Sequence, residues 1–159
     1  MSKSRHMRFM REAIELSHLN MRDSRGGPFG TVIVKDDAVI ARGTNLVTST
    51  NDPTAHAEIV AIREACRTLH TFRLDDCVIY TSCEPCPMCL GAIYWSRLKA
   101  IYYANTRDDA ASAGFDDRFL YQEMPRSLAD RKIPMIQLMR EEALLAFREW
   151  EKLETKVRY

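Results

Sequence analysis

The chain has 159 residues, 46% of them apolar, the size and composition of one globular domain with a proper core. Lysine and arginine total 23 against 22 acidic residues, giving a net charge of +1 with neither sign gathered into a block. That balance excludes a general attraction to polyanions, so no nucleic-acid partner is expected, and no run of about 18 apolar residues is present to cross a membrane. The stretch from Met1 to Arg11 carries charges and lacks the apolar core of a secretory leader, so the expected location is the cytoplasm.

In chain order, Met7, Met10, Ile14, Ser17 and Met21 recur at helical spacing, which predicts a helix ending before Gly26-Gly27-Pro28. Thr31 to Val34 and Ala38 to Ala41 flank Lys35-Asp36-Asp37 and read as a β-hairpin. A second helix is expected to open near Pro53 to Ala55, with Ile59, Ile62, Cys66 and Leu69 as its apolar stripe and His56 at its start. Val78-Ile79-Tyr80 reads as a buried strand, Pro87 to Ser96 as a helix and Ala100 to Ala104 as a strand, which together make a βαβ unit. Beyond Asp108 the pattern weakens. Ile133 to Leu138 is a candidate strand interrupted by Pro134, and Glu141 to Lys156 is a candidate helix. No repeat or linker divides the chain, so Met1 to Tyr159 is expected to be a single α/β domain, a three-layer α/β/α sandwich.

Five cysteines are an odd number, and three of them crowd into Cys83, Cys86 and Cys89, a pattern that favours metal binding over a disulfide framework. Two short motifs carry the chemistry: His56-Ala57-Glu58 and Pro85-Cys86-Pro87-Met88-Cys89. Together they match the H-x-E and P-C-x-x-C signature of zinc deaminases. With Cys86 at a helix start and Cys89 one turn on, both sulfurs can face one point, and the helix dipole favours their thiolates. His56 at a second helix start would complete three ligands, leaving the fourth zinc position open for catalysis. Glu58 is then the base that takes a proton from zinc-activated water and returns it to the substrate. A lone Cys-x-x-Cys would as readily be a structural zinc corner or a redox pair, and Cys83 is the residue that could close such a site. The strand-end position of Cys83 assigns it instead to packing beside the ligands, with Cys66 and Cys77 in the core.

The segments Asn51 to Glu58 and Thr81 to Cys89 resemble the cytidine-deaminase-like superfamily. Gly26-Gly27-Pro28-Phe29-Gly30, Gly91 to Trp95, Gly114-Phe115-Asp116-Asp117 and the terminal Tyr159 extend the resemblance over nearly the whole chain to the bacterial guanine deaminases within it. The resemblance implies a five-stranded mixed sheet between helices, one zinc ion per subunit, and a homodimer whose C-terminal segment is exchanged. It implies hydrolysis of guanine to xanthine and ammonia by attack at C2. It makes Asn45 an amide that hydrogen-bonds the purine, Phe29 a ring-face contact, and Ala57 a contact to the base. Trp95 and Tyr159 become aromatic walls, and Asp117 a carboxylate that reads the base edge and serves the leaving amine. Only the resemblance chooses Asp117 over Asp116, since both follow a glycine as turn residues would. Guanosine, another nucleobase, or the adenosine of a tRNA are alternative substrates. A tRNA reader, however, should carry a basic stripe that this chain lacks. A zinc-stabilised binding module is the non-enzymatic alternative, and an unliganded Glu58 beside the metal argues against it.

Overall fold

The computed structural model describes residues 3–158, and its contacts divide into two compact units, one ending at Arg118 and the other beginning at Phe119. The first unit opens with α1 (Lys3–Arg22), followed by β1 (Gly30–Lys35) and β2 (Ala38–Thr44). Asp36 and Asp37 join the two strands with φ of 47° and 62°, a two-residue turn of the left-handed kind that suits strand twist and that aspartate tolerates. After a single turn, α2 (Val47–Thr50), come α3 (Ala57–Leu69), β3 (Val78–Cys83), α4 (Pro87–Trp95), β4 (Ala100–Asn105) and α5 (Arg107–Ser112). The helix expected from Pro53 starts later, after His56, because Asp52 holds Thr54 through its N–H and hydroxyl in a turn just ahead of it.

The strands lie in the order β2-β1-β3-β4, with β1 antiparallel to both β2 and β3 and with β3 parallel to β4. Strand alternation builds a core on each face of this mixed sheet. Ile33 and Ile79 point to one side and pack with Ala61, Ile62 and Ala65 of α3 and Ile93 of α4. Val32, Val34, Val78 and Tyr80 point to the other and pack with Phe9 and Ala13 of α1. Each such large side chain contributes roughly 1.5–3 kcal/mol on leaving water. The expected three layers are therefore present.

Two glycines let the helices sit this close. A Cβ on Gly30 would stand 2.3 Å from the Ala13 carbonyl oxygen of α1, and one on Gly43 would stand 2.0 Å from the Ala57 carbonyl oxygen of α3. This close approach also corrects the reading of α1. Its buried residues are Phe9, Ala13, Ser17 and Asn20, so Ser17 lies inward as expected while Met7 and Met21 are exposed, and it is the backbone of Ala13 and Ser17 that approaches Gly30.

The second unit holds a 3-10 turn (Leu128–Asp130) and α7 (Arg140–Lys152), with α6 (Arg118–Glu123) crossing the boundary. The sheet has four strands and not the expected five, and Ile133 to Leu138 forms no strand among the described residues. Pro134 removes one ladder donor, and the stretch pairs with no strand; Ile133, Ile136 and Leu138 stay 81%, 78% and 77% exposed. Tyr159 lies outside the described residues. No described helix is long and apolar enough to cross a membrane.

Candidate active site

The two motifs meet where the strands end. His56 and Cys86 are the residues immediately before α3 and α4, each with extended backbone, ψ 155° and 166°. Their carbonyls already accept the first helical bonds, from Val60 N–H (2.9 Å) and Leu90 N–H (2.8 Å). Pro87 fits the first turn of α4 because its missing N–H would have no intrahelical partner there. Cys89 follows Cys86 by three residues and returns to the same side of the helix. Both helix N-termini therefore present their partial positive charge to one point.

Three donor atoms, from His56, Cys86 and Cys89, lie within 4.8 Å of one another. His56 Nδ1 is 3.6 Å from Cys86 Sγ and 3.5 Å from Cys89 Sγ. A tetrahedral zinc with bonds of about 2.3 Å to sulfur and about 2.0 Å to nitrogen requires an S···N separation of about 3.5 Å, so the donor set fits the ion. The electrostatics agree. Hydrogen bonds to its sulfur, from Cys89 first and then from His56, hold the Cys86 thiol down at about 4, while the bond to Cys86 and burial push Cys89 up. Two sulfurs this close share one proton unless a cation takes its place. Cys83 is not part of the donor group; its thiol faces the Thr106 carbonyl at 3.6 Å, and burial pushes it up to about 11.

Glu58 sits in the first turn of α3, 7% exposed, with Oε2 3.4 Å from Cys89 Sγ. Burial pushes its carboxyl up. It lines a cavity of about 110 Å³ together with Asn45, Ala57 and Phe29. Asn45 is buried and held from both ends. Its carbonyl accepts from Asn20 Nδ2 at 2.8 Å, and its side-chain Oδ1 accepts from Val47 N–H at 3.3 Å, which leaves Nδ2 as a donor toward the cavity. Phe29 meets the edge of Phe115 at 4.9 Å and 85°.

The two aspartates that sequence left unresolved occupy different surroundings. Asp116 binds Arg118 through paired contacts of 2.6 to 2.9 Å, and that guanidinium holds its carboxyl down at about 2. Asp117 lines the cavity, and burial raises its carboxyl. Trp95, the last residue of α4, is 69% exposed and lies outside the cavity lining. The structure also brings in residues the sequence did not single out: Asn20, Glu84, Arg107 and Phe115. Of these, Glu84 and Phe115 lie within segments that carry the family resemblance, and Asn20 and Arg107 do not.

Residues 3–105 match the family model described as the cytidine and deoxycytidylate deaminase zinc-binding region. The chain belongs to that deaminase family. It is 53% identical over 154 residues to a guanine deaminase of Bacillus subtilis, covering 97% of this chain and 99% of the relative. The crystal structure of a guanine deaminase from the same organism superposes with a TM-score of 0.94 at 51% identity, covering 100% of this chain and 99% of that one. A tRNA-specific adenosine deaminase of Bacillus subtilis is 38% identical over 96 residues, 60% of this chain and 58% of the relative. As a family member the protein is a hydrolytic, zinc-dependent deaminase, and among the described residues the His56, Cys86 and Cys89 cluster is the group able to hold that zinc.

Proposed function

We propose that the protein hydrolyses guanine to xanthine and ammonia, with zinc held by His56, Cys86 and Cys89. The observation that carries the reading is Glu58, a buried carboxylate outside the metal-donor group yet lining the same cavity. A purely structural zinc site has no use for it. The guanine deaminase likeness spans nearly the full length, whereas the tRNA-specific relative matches only 60% of the chain, and the near-neutral charge lacks an RNA-binding stripe. The cavity, at about 110 Å³, is below the roughly 300–1,000 Å³ of drug-sized ligand sites and suits a single heterocycle better than a nucleoside.

When bound, zinc lowers the pKa of a water toward neutrality and so supplies the nucleophile for C2. Glu58 takes the proton of that water and passes it to ring N3; its burial keeps the proton available for return. Asn45 offers Nδ2 to an acceptor on the base, and Ala57 lies against the ring at the start of α3. Phe29 covers the ring face. Asp117 accepts from the 2-amino edge, and the second proton of the water, released from the hydroxyl added at C2, passes through Glu58 or Asp117 to the departing amine, so that one water is consumed and one ammonia leaves.

The active form is a homodimer that exchanges its C-terminal segment. Among the described residues from Phe119 onward none is buried, although Leu145, Phe147 and Trp150 sit on α7, and such a surface calls for a covering chain. Exchange would bring Tyr159 to the neighbouring cavity and give the exposed Trp95 a place beside it. Five free cysteines suit the reducing cytoplasm. The test offers guanine, guanosine, adenine, cytosine and cytidine to zinc-loaded protein and measures ammonia. Guanine should have the highest kcat/KM, and a higher value for guanosine would replace this reading with a nucleoside deaminase.

A further inference from the structure

We infer that Arg107 determines specificity, reading the six-position carbonyl and N7 of the purine from the rim of the cavity. The inference rests on the guanine reading and adds a residue to it. Three observations lead there. Arg107 lines the cavity, and apart from His56, which the metal would engage, it is the only cationic side chain among the described residues that do. Its backbone is fixed, because Arg107 N–H donates to Glu84 Oε2 at 3.1 Å and Glu84 N–H donates to the Asn105 carbonyl at 2.8 Å. Arg107 is thereby tied to the loop that leads into Cys86. Thr106 and Asp109 exchange reciprocal hydrogen bonds around it and set where α5 begins.

The donor inventory gives the side chain its task. Guanine with N7 as acceptor presents donors at N1, the 2-amino group and N9, and acceptors at O6, N7 and N3. The carboxylates of Asp117 and Glu58 answer the N1 and 2-amino edge and the N3 proton. Among the lining side chains, Asn45 and Arg107 carry the N–H groups that match the other acceptors, the five donors of the guanidinium being more than any one partner engages. A guanidinium fork matches the adjacent O6 and N7 of guanine, the pairing by which arginine reads that base elsewhere, and one such pair is worth roughly 1–3 kcal/mol of discrimination. A purine with an amino group at position six presents a donor to the fork and loses the pair. The positive charge near Asp117 also favours its carboxylate, the form that accepts from the amino edge.

The experiment measures binding without turnover. Zinc-loaded protein carrying Glu58→Gln, with Arg107 kept or changed to Met or Lys, is equilibrated by dialysis against guanine and against 2,6-diaminopurine. These ligands differ at position six. With Arg107 present, guanine should bind more tightly than 2,6-diaminopurine. Arg107→Met should weaken guanine about tenfold or more while 2,6-diaminopurine changes little, so the preference collapses; Arg107→Lys should retain part of it. Zinc content and melting temperature, equal across the set, show that the fold is kept. Equal weakening of both ligands, as a merely structural role would give, or an unchanged ratio, overturns the assignment. Ammonia release from guanine by the unaltered protein tests the underlying reading separately.

Discussion

Glu58 and Cys89 are neighbours, 3.4 Å apart, yet their loss should fail in different ways. Glu58→Gln keeps the side chain's shape and cannot accept a proton, so zinc should remain at one per chain while kcat falls about 10²- to 10⁴-fold. Metal analysis beside guanine kinetics checks this, and near-parent turnover would remove Glu58 as the proton carrier. Cys86→Ala or Cys89→Ala deletes a ligand whose binding energy is coupled to folding, so zinc and melting temperature should drop together. Full stoichiometry in either variant would mean that another group, Cys83 first, completes the site. This quartet was legible in sequence because helix starts fix its spacing: His56 and Cys86 each precede a helix, and one turn separates Cys86 from Cys89. Asp117 was legible only through resemblance, since Asp116 differs from it only by the Arg118 that captures it. Asn20 and Arg107 were not legible at all. A mid-helix asparagine and an arginine opening a short helix acquire meaning only when the fold brings Asn45 to the one and Glu84 to the other.

At the scale of elements, α3 carries Glu58 in its first turn and is preceded directly by His56, and Gly43 decides how near the sheet it lies. An added Cβ meets backbone, the Ala57 carbonyl at 2.0 Å and the Ala61 nitrogen at 2.6 Å, so the helix itself must shift. Gly43→Ala should cost about 3 kcal/mol and weaken zinc binding as well, read by thermal melting and by competition with a chelator. The same substitution at the open Gly91 should leave both nearly unchanged. The opposite face of the sheet has its own signature in Tyr80, fully buried and hydrogen-bonded to His6 Nδ1 at 2.8 Å. Burial first, then Tyr102 and Asp37, pushes its hydroxyl up to about 12. A raised value in the folded state means stability that is intact below about pH 10 and lost as pH rises through 12. Tyr80→Phe should therefore flatten the loss of stability between those values, measured by denaturant melts in alkali; an unchanged slope would mean that Tyr80 does not govern it. The two-residue hairpin and the βαβ unit could be read from alternation and turn residues. The face of α1 was legible at Ser17 alone: Met7 and Met21 share its helical spacing but are exposed, and Phe9, Ala13 and Asn20 make up the rest of the buried side.

For the whole molecule, the same sequence pattern that predicts a single domain contains the reason its last third was hard to read. Periodicity reports which residues want burial, not which chain buries them. Ile133 to Leu138 was expected to add a strand, but among the described residues it pairs with none, and Ile133, Ile136 and Leu138 remain exposed, a surface open to a partner. If that partner is a second copy, the protein should sediment as a dimer at micromolar concentration, and the exchanged segment should matter for chemistry more than for folding. In sequence, Lys152 to Tyr159 is a short, charged segment of the kind that is ordinarily dispensable. A truncation ending at Lys156 removes Val157, Arg158 and Tyr159 while retaining α7. Zinc content, dimer mass and melting temperature should stay near those of the full chain, whereas guanine kcat should fall and KM rise. A lid that excludes water and completes a binding surface acts on both quantities. Unchanged kinetics with an intact dimer would take Tyr159 out of the site, and the roles of His56, Glu58, Cys86 and Cys89 would stand without it. A loss of activity accompanied by dissociation would instead assign the tail to the dimer contact, and mixing the truncated chain with full-length Glu58→Gln separates the two. Under exchange each intact tail closes the neighbour's competent site, so activity should return in the mixed dimer; with tails acting in their own subunit it should not.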